Sequence, residues 1–167
     1  MLRTKRLTLK PYADHDREGM LRLLTDEEIK KTFMIPDFSS AADADAMFEK
    51  LKAWSLCDTH YERGIYHEGQ LIGFINDVEL DGACIEVGYV IHPAHHNQGF
   101  ATEALSAAIG DLFAKGFSQV KAAAFWDNRA SRRVMEKCGM RLTAQTGSIT
   151  YHGKVQECVY YAISKDS

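Results

Sequence analysis

Val90-Ile91-His92-Pro93-Ala94-His95-His96-Asn97-Gln98-Gly99-Phe100-Ala101-Thr102-Glu103 is the stretch on which the fold turns. An apolar strand ends, a polar loop follows, and helical spacing begins past Gly99, where Ala101, Leu105, Ala108 and Leu112 fall at i, i+4, i+7 and i+11. Gly116 stands where a glycine just beyond a helix belongs, and Gln119–Phe125 reads as the next strand. A strand–helix–strand crossover therefore follows Ile91. Small residues at Gly99 and Ala101 let backbone N–H groups turn toward one point and let a ligand approach closely. Those groups are the unpaired donors of the helix's first turn, backed by the positive end of its dipole, and they suit a pyrophosphate. An ordinary strand-to-helix loop with a glycine for its turn fits the same residues. The dinucleotide pattern G-x-G-x-x-G and the Walker pattern G-x-x-x-x-G-K-[ST] are both absent.

Outward from this stretch, Leu7 and Leu9 alternate with Arg6, Thr8 and Lys10 as a first strand ending at Pro11. Asp14 is placed to cap a helix over 15–24, and Ser39 or Ser40 a second one in which Met47, Leu51 and Trp54 recur at helical spacing. Segments 64–67, 71–80 and 83–91 read as strands joined by turns at Glu68-Gly69 and Asp81-Gly82. Downstream, 129–138 reads as a helix stopped by Gly139, and 142–151 and 157–164 as a last pair of strands. The order predicts a mixed α/β fold in a single domain over residues 1–167.

The 167 residues carry 20 Lys and Arg against 23 Asp and Glu, a net charge of −3. That balance disfavours a nucleic-acid binder, so a phosphate-bearing ligand must be held by local geometry. No run approaches the ~18 apolar residues of a membrane span. The first residues show no apolar segment behind Arg3, Lys5 and Arg6, so no signal peptide is expected. Cys57, Cys84, Cys138 and Cys158 form no CxxC pair, and a reducing cytoplasm is the economical reading. His92, His95 and His96 include an i, i+4 pair, but a loop with no nearby Cys or carboxylate does not complete a metal set, and no metal is expected.

His96-Asn97-Gln98-Gly99-Phe100-Ala101 resembles the R/Q-x-x-G-x-G/A signature of the GNAT family of N-acetyltransferases, with His96 where Arg or Gln is usual. Three other segments agree in order and spacing. Thr4-Lys5-Arg6-Leu7-Thr8-Leu9-Lys10 is similar to the T-x-R-L-x-L-R first strand of one branch, and Ile85-Glu86-Val87-Gly88-Tyr89-Val90-Ile91-His92-Pro93 to its E-I-G-Y-x-I-x-P strand. Asn128-Arg129-Ala130-Ser131 with Glu136-Lys137-Cys138-Gly139-Met140 resembles its N-x-x-S…E-K-x-G-F helix. The branch is that of the ribosomal-protein-alanine N-acetyltransferases of RimJ/RimL type. The resemblance implies a mixed, mostly antiparallel central sheet flanked by helices. It also implies acetyl transfer from acetyl-CoA to an amine, directly and in a ternary complex.

By the same resemblance, backbone N–H groups of Gln98, Gly99, Phe100, Ala101 and Thr102 hold the pyrophosphate, joined by the Thr102 hydroxyl. The strand end Val90, Ile91 and His92 pairs with the pantetheine amides, and Val90 or Ile91 polarises the thioester carbonyl. Glu86 is the candidate base, directly or through water; a carboxylate inside an apolar strand is costly unless paired, and burial raises its pKa. A solvated face or a structural ion pair fits Glu86 as well, and His92 is an alternative base. Asn128 is an ordinary N-cap to which the resemblance adds a bond to the pantetheine arm. Many relatives carry a tyrosine acid where this chain has Met135, which donates no proton; Ser131 then resembles the branch's serine that bonds the departing sulfur. Acceptor walls are expected from Phe33, Phe38, Trp54 and the 151–153 turn, although such aromatics are commonly core. The acceptor stays open between a protein N-terminal amine and a small amine such as a polyamine, amino acid or antibiotic. So do a non-catalytic acyl-CoA sensor and a homodimer.

Overall fold

Period-two and helical stretches alternate along the chain as expected, and a computed structural model describes them over residues 1–166. In order they are β1 (Leu2–Arg3), β2 (Leu7–Lys10), a 3-10 turn (Asp14–Asp16), α1 (Arg17–Thr25), α2 (Glu27–Thr32), α3 (Ala41–Ser55), β3 (Glu62–His67), β4 (Gln70–Asp81) and β5 (Cys84–Ile91). There follow a second 3-10 turn (Pro93–His95), α4 (Phe100–Ala114), β6 (Gln119–Phe125), α5 (Arg129–Lys137), β7 (Arg141–Tyr151) and β8 (Lys154–Ser164). The eight strands form one sheet in the order β1-β2-β3-β4-β5-β6-β8-β7. β5 and β6 run parallel, as a crossover through α4 demands, whereas β1·β2, β2·β3, β3·β4, β6·β8 and β7·β8 are antiparallel. This is the mixed α/β, mostly antiparallel architecture expected from the sequence.

By its internal contacts the chain divides into two compact units, one of Met1–Asn76 with Tyr89–Ala104, the other of Asp77–Gly88 with the residues from Leu105 onward. In the first unit, Glu68 and Gly69 both take positive φ, 50° and 81°, the geometry of a tight two-residue hairpin turn between β3 and β4. Met20, Leu23 and Leu24 of α1 and Phe48 of α3 are buried in one cluster with Tyr12, Tyr66, Leu71, Phe74 and Val90. Phe33 and Phe38 pack against that cluster, Phe33 edge-on to Phe74 at 5.5 Å, so both serve the core. Trp54 instead stacks on His60 at 4.4 Å.

The start of α1 departs from expectation. Asp14 does not cap the helix: its carboxylate takes Lys52 Nζ at 2.7 Å, and a 3-10 turn precedes α1. Asp16 is the working residue there, buried, with Oδ2 accepting from the Ala13 amide at 2.8 Å and the Tyr66 hydroxyl at 2.7 Å. A second buried acid, Glu62, accepts a short hydrogen bond from the Tyr12 hydroxyl. Burial pushes both phenols well up, with the facing carboxylates adding to the rise. α2 was not foreseen at all; Asp26 caps it by accepting from the Ile29 amide at 2.9 Å. Ser40 caps α3 through the Asp43 amide at 3.2 Å.

In the second unit, β6 lies between parallel β5 and antiparallel β8, with Glu86 opposite Lys121 on the shared rung. Leu105, Leu112, Val120, Met135 and Tyr161 are fully buried there. The β7–β8 hairpin turns at His152-Gly153, again with paired positive φ values of 50° and 73°. Among the described residues, no helix is long and apolar enough to cross a membrane.

Candidate functional site

In the first unit, the candidate residues sit where β5 ends and α4 begins. Val90 and Ile91 are buried; the His92 amide donates to the Ile72 carbonyl of β4 at 2.8 Å, and the His92 carbonyl accepts from His95 at 2.8 Å. Both backbone groups of His92 are thus spent. Backbone groups alternate in direction along a strand, so the Ile91 amide points away from β4. β4 lies close here because residue 73 is glycine: a Cβ on it would stand 2.1 Å from the Val90 carbonyl oxygen.

The histidines have separate tasks. His96 Nε2 donates to the Ile91 carbonyl at 2.6 Å, so the residue that departs from the usual Arg or Gln ties the loop back to its strand. His92 Nδ1 accepts from the Ala94 amide at 3.2 Å, which in the neutral ring puts the proton on Nε2, 3.8 Å from Asp26 Oδ2. The remaining lone pair, on Nδ1, is then occupied by the Ala94 amide and is not offered to an amine.

Beyond them, Asn97 and Gly99 take positive φ, 59° and 80°, and Gln98 and Gly99 are exposed. The first amides of α4 find no acceptor within the helix. Phe100 turns its ring inward, 3% exposed, against His67 at 4.6 Å, and so offers only its backbone. A clasp that the sequence reading missed holds this loop. Arg6 of the chain preceding β2 donates from Nη1 to the Gln98 carbonyl at 2.8 Å and from Nε to Glu103 Oε2 at 2.7 Å, and lies 4.5 Å over the Phe100 ring. Glu103 Oε1 also accepts from the Thr4 hydroxyl at 2.6 Å and the Arg6 amide at 2.8 Å. Burial pushes the Glu103 carboxyl up, but hydrogen bonds from Thr4 and Arg6 and the Arg6 charge outweigh it and hold it below its usual range.

In the second unit, Glu86 is half-buried on β5. Burial raises its pKa, the Glu79 charge raises it further, and Lys121 opposes both. The Tyr160 hydroxyl and Cys158 thiol are pushed up by burial and then by the Glu86 charge, so both stay protonated near neutrality. Burial also raises Cys84, and Cys138 to about 11, which makes these inert thiols. Asn128 caps α5, its Oδ1 accepting from the Ser131 amide at 3.2 Å, and this leaves the Asn128 Nδ2 hydrogens for another partner. Ser131 is half-buried in the first turn of α5, and Met135 is fully buried. Arg132 is engaged by its own fold, donating to the Trp126 carbonyl at 3.0 Å and the Tyr161 hydroxyl at 3.3 Å. A groove of about 460 Å³ opens between Trp126, Thr146, Gly147, Ser148, Glu157, Cys158 and Val159, with Trp126 53% exposed.

Backbone donors at a helix start, a strand end with an outward amide and a half-buried carboxylate of raised pKa are the parts an acyl transfer needs. Comparison with known proteins agrees with that class. The acetyltransferase (GNAT) domain matches residues 6–141, and the chain belongs to this family of N-acetyltransferases. Among individual relatives, the uncharacterized N-acetyltransferase YoaA of Bacillus subtilis is 30% identical over 146 residues, 84% of this chain and 82% of YoaA. A GNAT-family acetyltransferase from Bacillus anthracis superposes with a TM-score of 0.84 at 24% identity, covering 99% of each chain. RimL, a ribosomal L7/L12 α-N-protein acetyltransferase solved with coenzyme A, has a TM-score of 0.84 at 14% identity over 98% of this chain and 96% of its own.

Proposed function

We propose that residues 1–167 act as a single N-acetyltransferase domain that moves acetyl from acetyl-CoA directly to a primary amine, with a protein or peptide N-terminal amine as the acceptor. The observation that carries this reading is the loop 97–102, in which Asn97 and Gly99 take positive φ immediately before the start of α4, whose first amides have no acceptor within the helix. Backbone N–H groups of Gln98, Gly99, Phe100, Ala101 and Thr102, with the Thr102 hydroxyl, hold the pyrophosphate. The strand end Val90, Ile91 and His92 receives the pantetheine arm. With the His92 amide spent on Ile72, the Ile91 amide is the donor we assign to the thioester carbonyl. The Asn128 Nδ2 group takes a pantetheine amide. Coenzyme A supplies the activated acetyl group; the chain positions it and manages two protons.

Glu86 takes the amine's proton, directly or through water, and its raised pKa brings it toward the strength such a base needs. The Ala94 amide that occupies His92 Nδ1 argues for Glu86 over His92 in this role. The Ser131 hydroxyl donates to the sulfur as the thiolate leaves. No metal enters this chemistry. The thiols, half-buried and unlinked, fit a reducing cytoplasm.

Free coenzyme A and acetylated product, followed by mass detection, test the acceptor. One pool holds peptides beginning with Ala, Ser, Thr or Met, the other polyamines, amino acids and aminoglycosides. Turnover with the peptides supports the proposed acceptor; turnover with small amines alone overturns it. In the same assay Ser131→Ala is expected to lower kcat about tenfold, the loss of one hydrogen bond to a developing charge. Its affinity for acetyl-CoA should be unchanged. An unaltered kcat would remove Ser131 from the mechanism.

A further inference from the structure

Arg6 stands 92 residues before Gln98 in sequence, yet it contacts the loop at several points. Its Nη1 holds the Gln98 carbonyl, its Nε holds Glu103, its plane covers Phe100, and its Nη2 lies 3.3 Å from where a Cβ on Gly99 would stand. The loop it adjoins contains a non-glycine residue at positive φ, Asn97, a conformation asparagine tolerates best among such residues and that contacts on either side help to hold. Glu103 raises a second problem. A carboxylate in the first turn of α4 suits the helix dipole but would repel a pyrophosphate bound at the same helix end. Here both its oxygens are engaged by Thr4 and Arg6, so its charge is matched by the guanidinium.

From this geometry we infer that Arg6 and Glu103 are positioning residues for cofactor binding: a clasp between the segment preceding β2 and the start of α4 that fixes the 98–102 loop in its anion-binding shape. The inference rests on the proposed pyrophosphate site. Neither side chain is assigned to the reacting atoms. A lysine at position 6 would supply charge at one point, whereas the guanidinium fork holds the loop carbonyl and the carboxylate together. The fork is therefore the essential feature.

Charge and clasp make opposite predictions for Glu103→Gln. Removing a negative charge beside a pyrophosphate would tighten acetyl-CoA on electrostatic grounds alone. Loss of the clasp loosens it, because Arg6 no longer has its ionic anchor. The experiment measures the acetyl-CoA Kd by titration calorimetry for the native protein, Arg6→Gln, Arg6→Lys, Glu103→Gln and the double variant Arg6→Gln/Glu103→Gln. Steady-state rates with acetyl-CoA and with S-acetylpantetheine, a thioester without the pyrophosphate, accompany it.

The expected result is a Kd raised about tenfold in each single variant, Arg6→Lys included, and a double variant no weaker than Arg6→Gln alone. The kcat at saturating acetyl-CoA stays within about twofold of native, and the KM for S-acetylpantetheine does not move. Equal or tighter acetyl-CoA binding by Glu103→Gln, full rescue by Arg6→Lys, or equal weakening toward both thioesters would overturn the clasp. If Arg6→Gln does not fold, Glu103→Gln decides by itself. Failure of the native protein to bind acetyl-CoA would overturn the pyrophosphate reading and this one with it. Native binding with unaffected variants overturns the clasp alone.

Discussion

Gly73→Ala is expected to destabilise the protein by about 3 kcal/mol or more and to lower its thermal midpoint, a large effect for one methyl group. The added Cβ would stand 2.1 Å from the Val90 carbonyl oxygen and 3.1 Å from the Ile91 Cα, and both are backbone atoms that cannot swing aside. The strands would have to part beside the strand end proposed to receive the pantetheine arm. A matched control comes from Gly110, in the interior of α4, where an added Cβ meets nothing within 4 Å. Gly110→Ala is expected to stabilise by up to about 1 kcal/mol, since alanine suits a helix better than glycine. Equilibrium unfolding in urea reads both, and opposite signs for the same chemical change are the signature of the close approach at Gly73. A Gly73→Ala protein as stable as native would show that β4 and β5 do not pack as described.

Glu86→Gln is expected to reduce kcat/KM about 100-fold while the affinity for acetyl-CoA is preserved, because the amide keeps the shape and loses the base. The pH dependence gives a sharper check. Burial and the neighbouring Glu79 raise the Glu86 pKa, and Lys121 lowers it. A base must be ionised to act, so the acid limb of kcat/KM should lie above the ordinary carboxylate range. Removing the Glu79 charge favours ionisation, and Glu79→Gln should move the limb to lower pH. Lys121→Met removes the opposing cation and should move it to higher pH. Two acceptors of different amine pKa should share this limb, which separates it from the titration of the acceptor. Native activity in Glu86→Gln, or a limb that ignores both neighbours, would return Glu86 to a structural role in its sheet.

What was legible in the sequence followed local pattern. β6 is expected at Gln119–Phe125 and is found there, and Glu68-Gly69 joins β3 to β4 as expected, whereas the next turn falls one residue later than expected, at Gly82-Ala83, with Asp81 still in β4. Both features that agree follow from period and turn chemistry within a few residues. α2 escaped because six residues with one buried apolar side chain, Ile29, carry no period to detect. Asp14 looked like a cap because it precedes the helix, but Lys52, 38 residues away, takes its carboxylate.

The same distance rule governs the site. The loop 96–101 and the residues Glu86, Asn128 and Ser131 are proposed from motifs that are contiguous in the chain. The Arg6–Glu103 clasp joins residues 97 apart, and the Glu62–Tyr12 and Asp16–Tyr66 pairs each join residues 50 apart. Nothing in local composition announces such partners. His96 is the instructive departure: it stands where the signature usually has Arg or Gln, and in the structure its ring ties the loop to the Ile91 carbonyl.

The most direct test of the central claim, that the 97–102 loop holds acetyl-CoA through its backbone, is calorimetric titration of acetyl-CoA into the native protein and into Gly99→Val. Gly99 takes φ 80°, which valine adopts only under strain, and an added Cβ would meet Arg6 Nη2 at 3.3 Å. The account predicts saturable binding to the native chain and an affinity at least about tenfold weaker in a Gly99→Val protein that remains folded by circular dichroism. Absence of binding to the native chain, or equal binding by the folded variant, would contradict it.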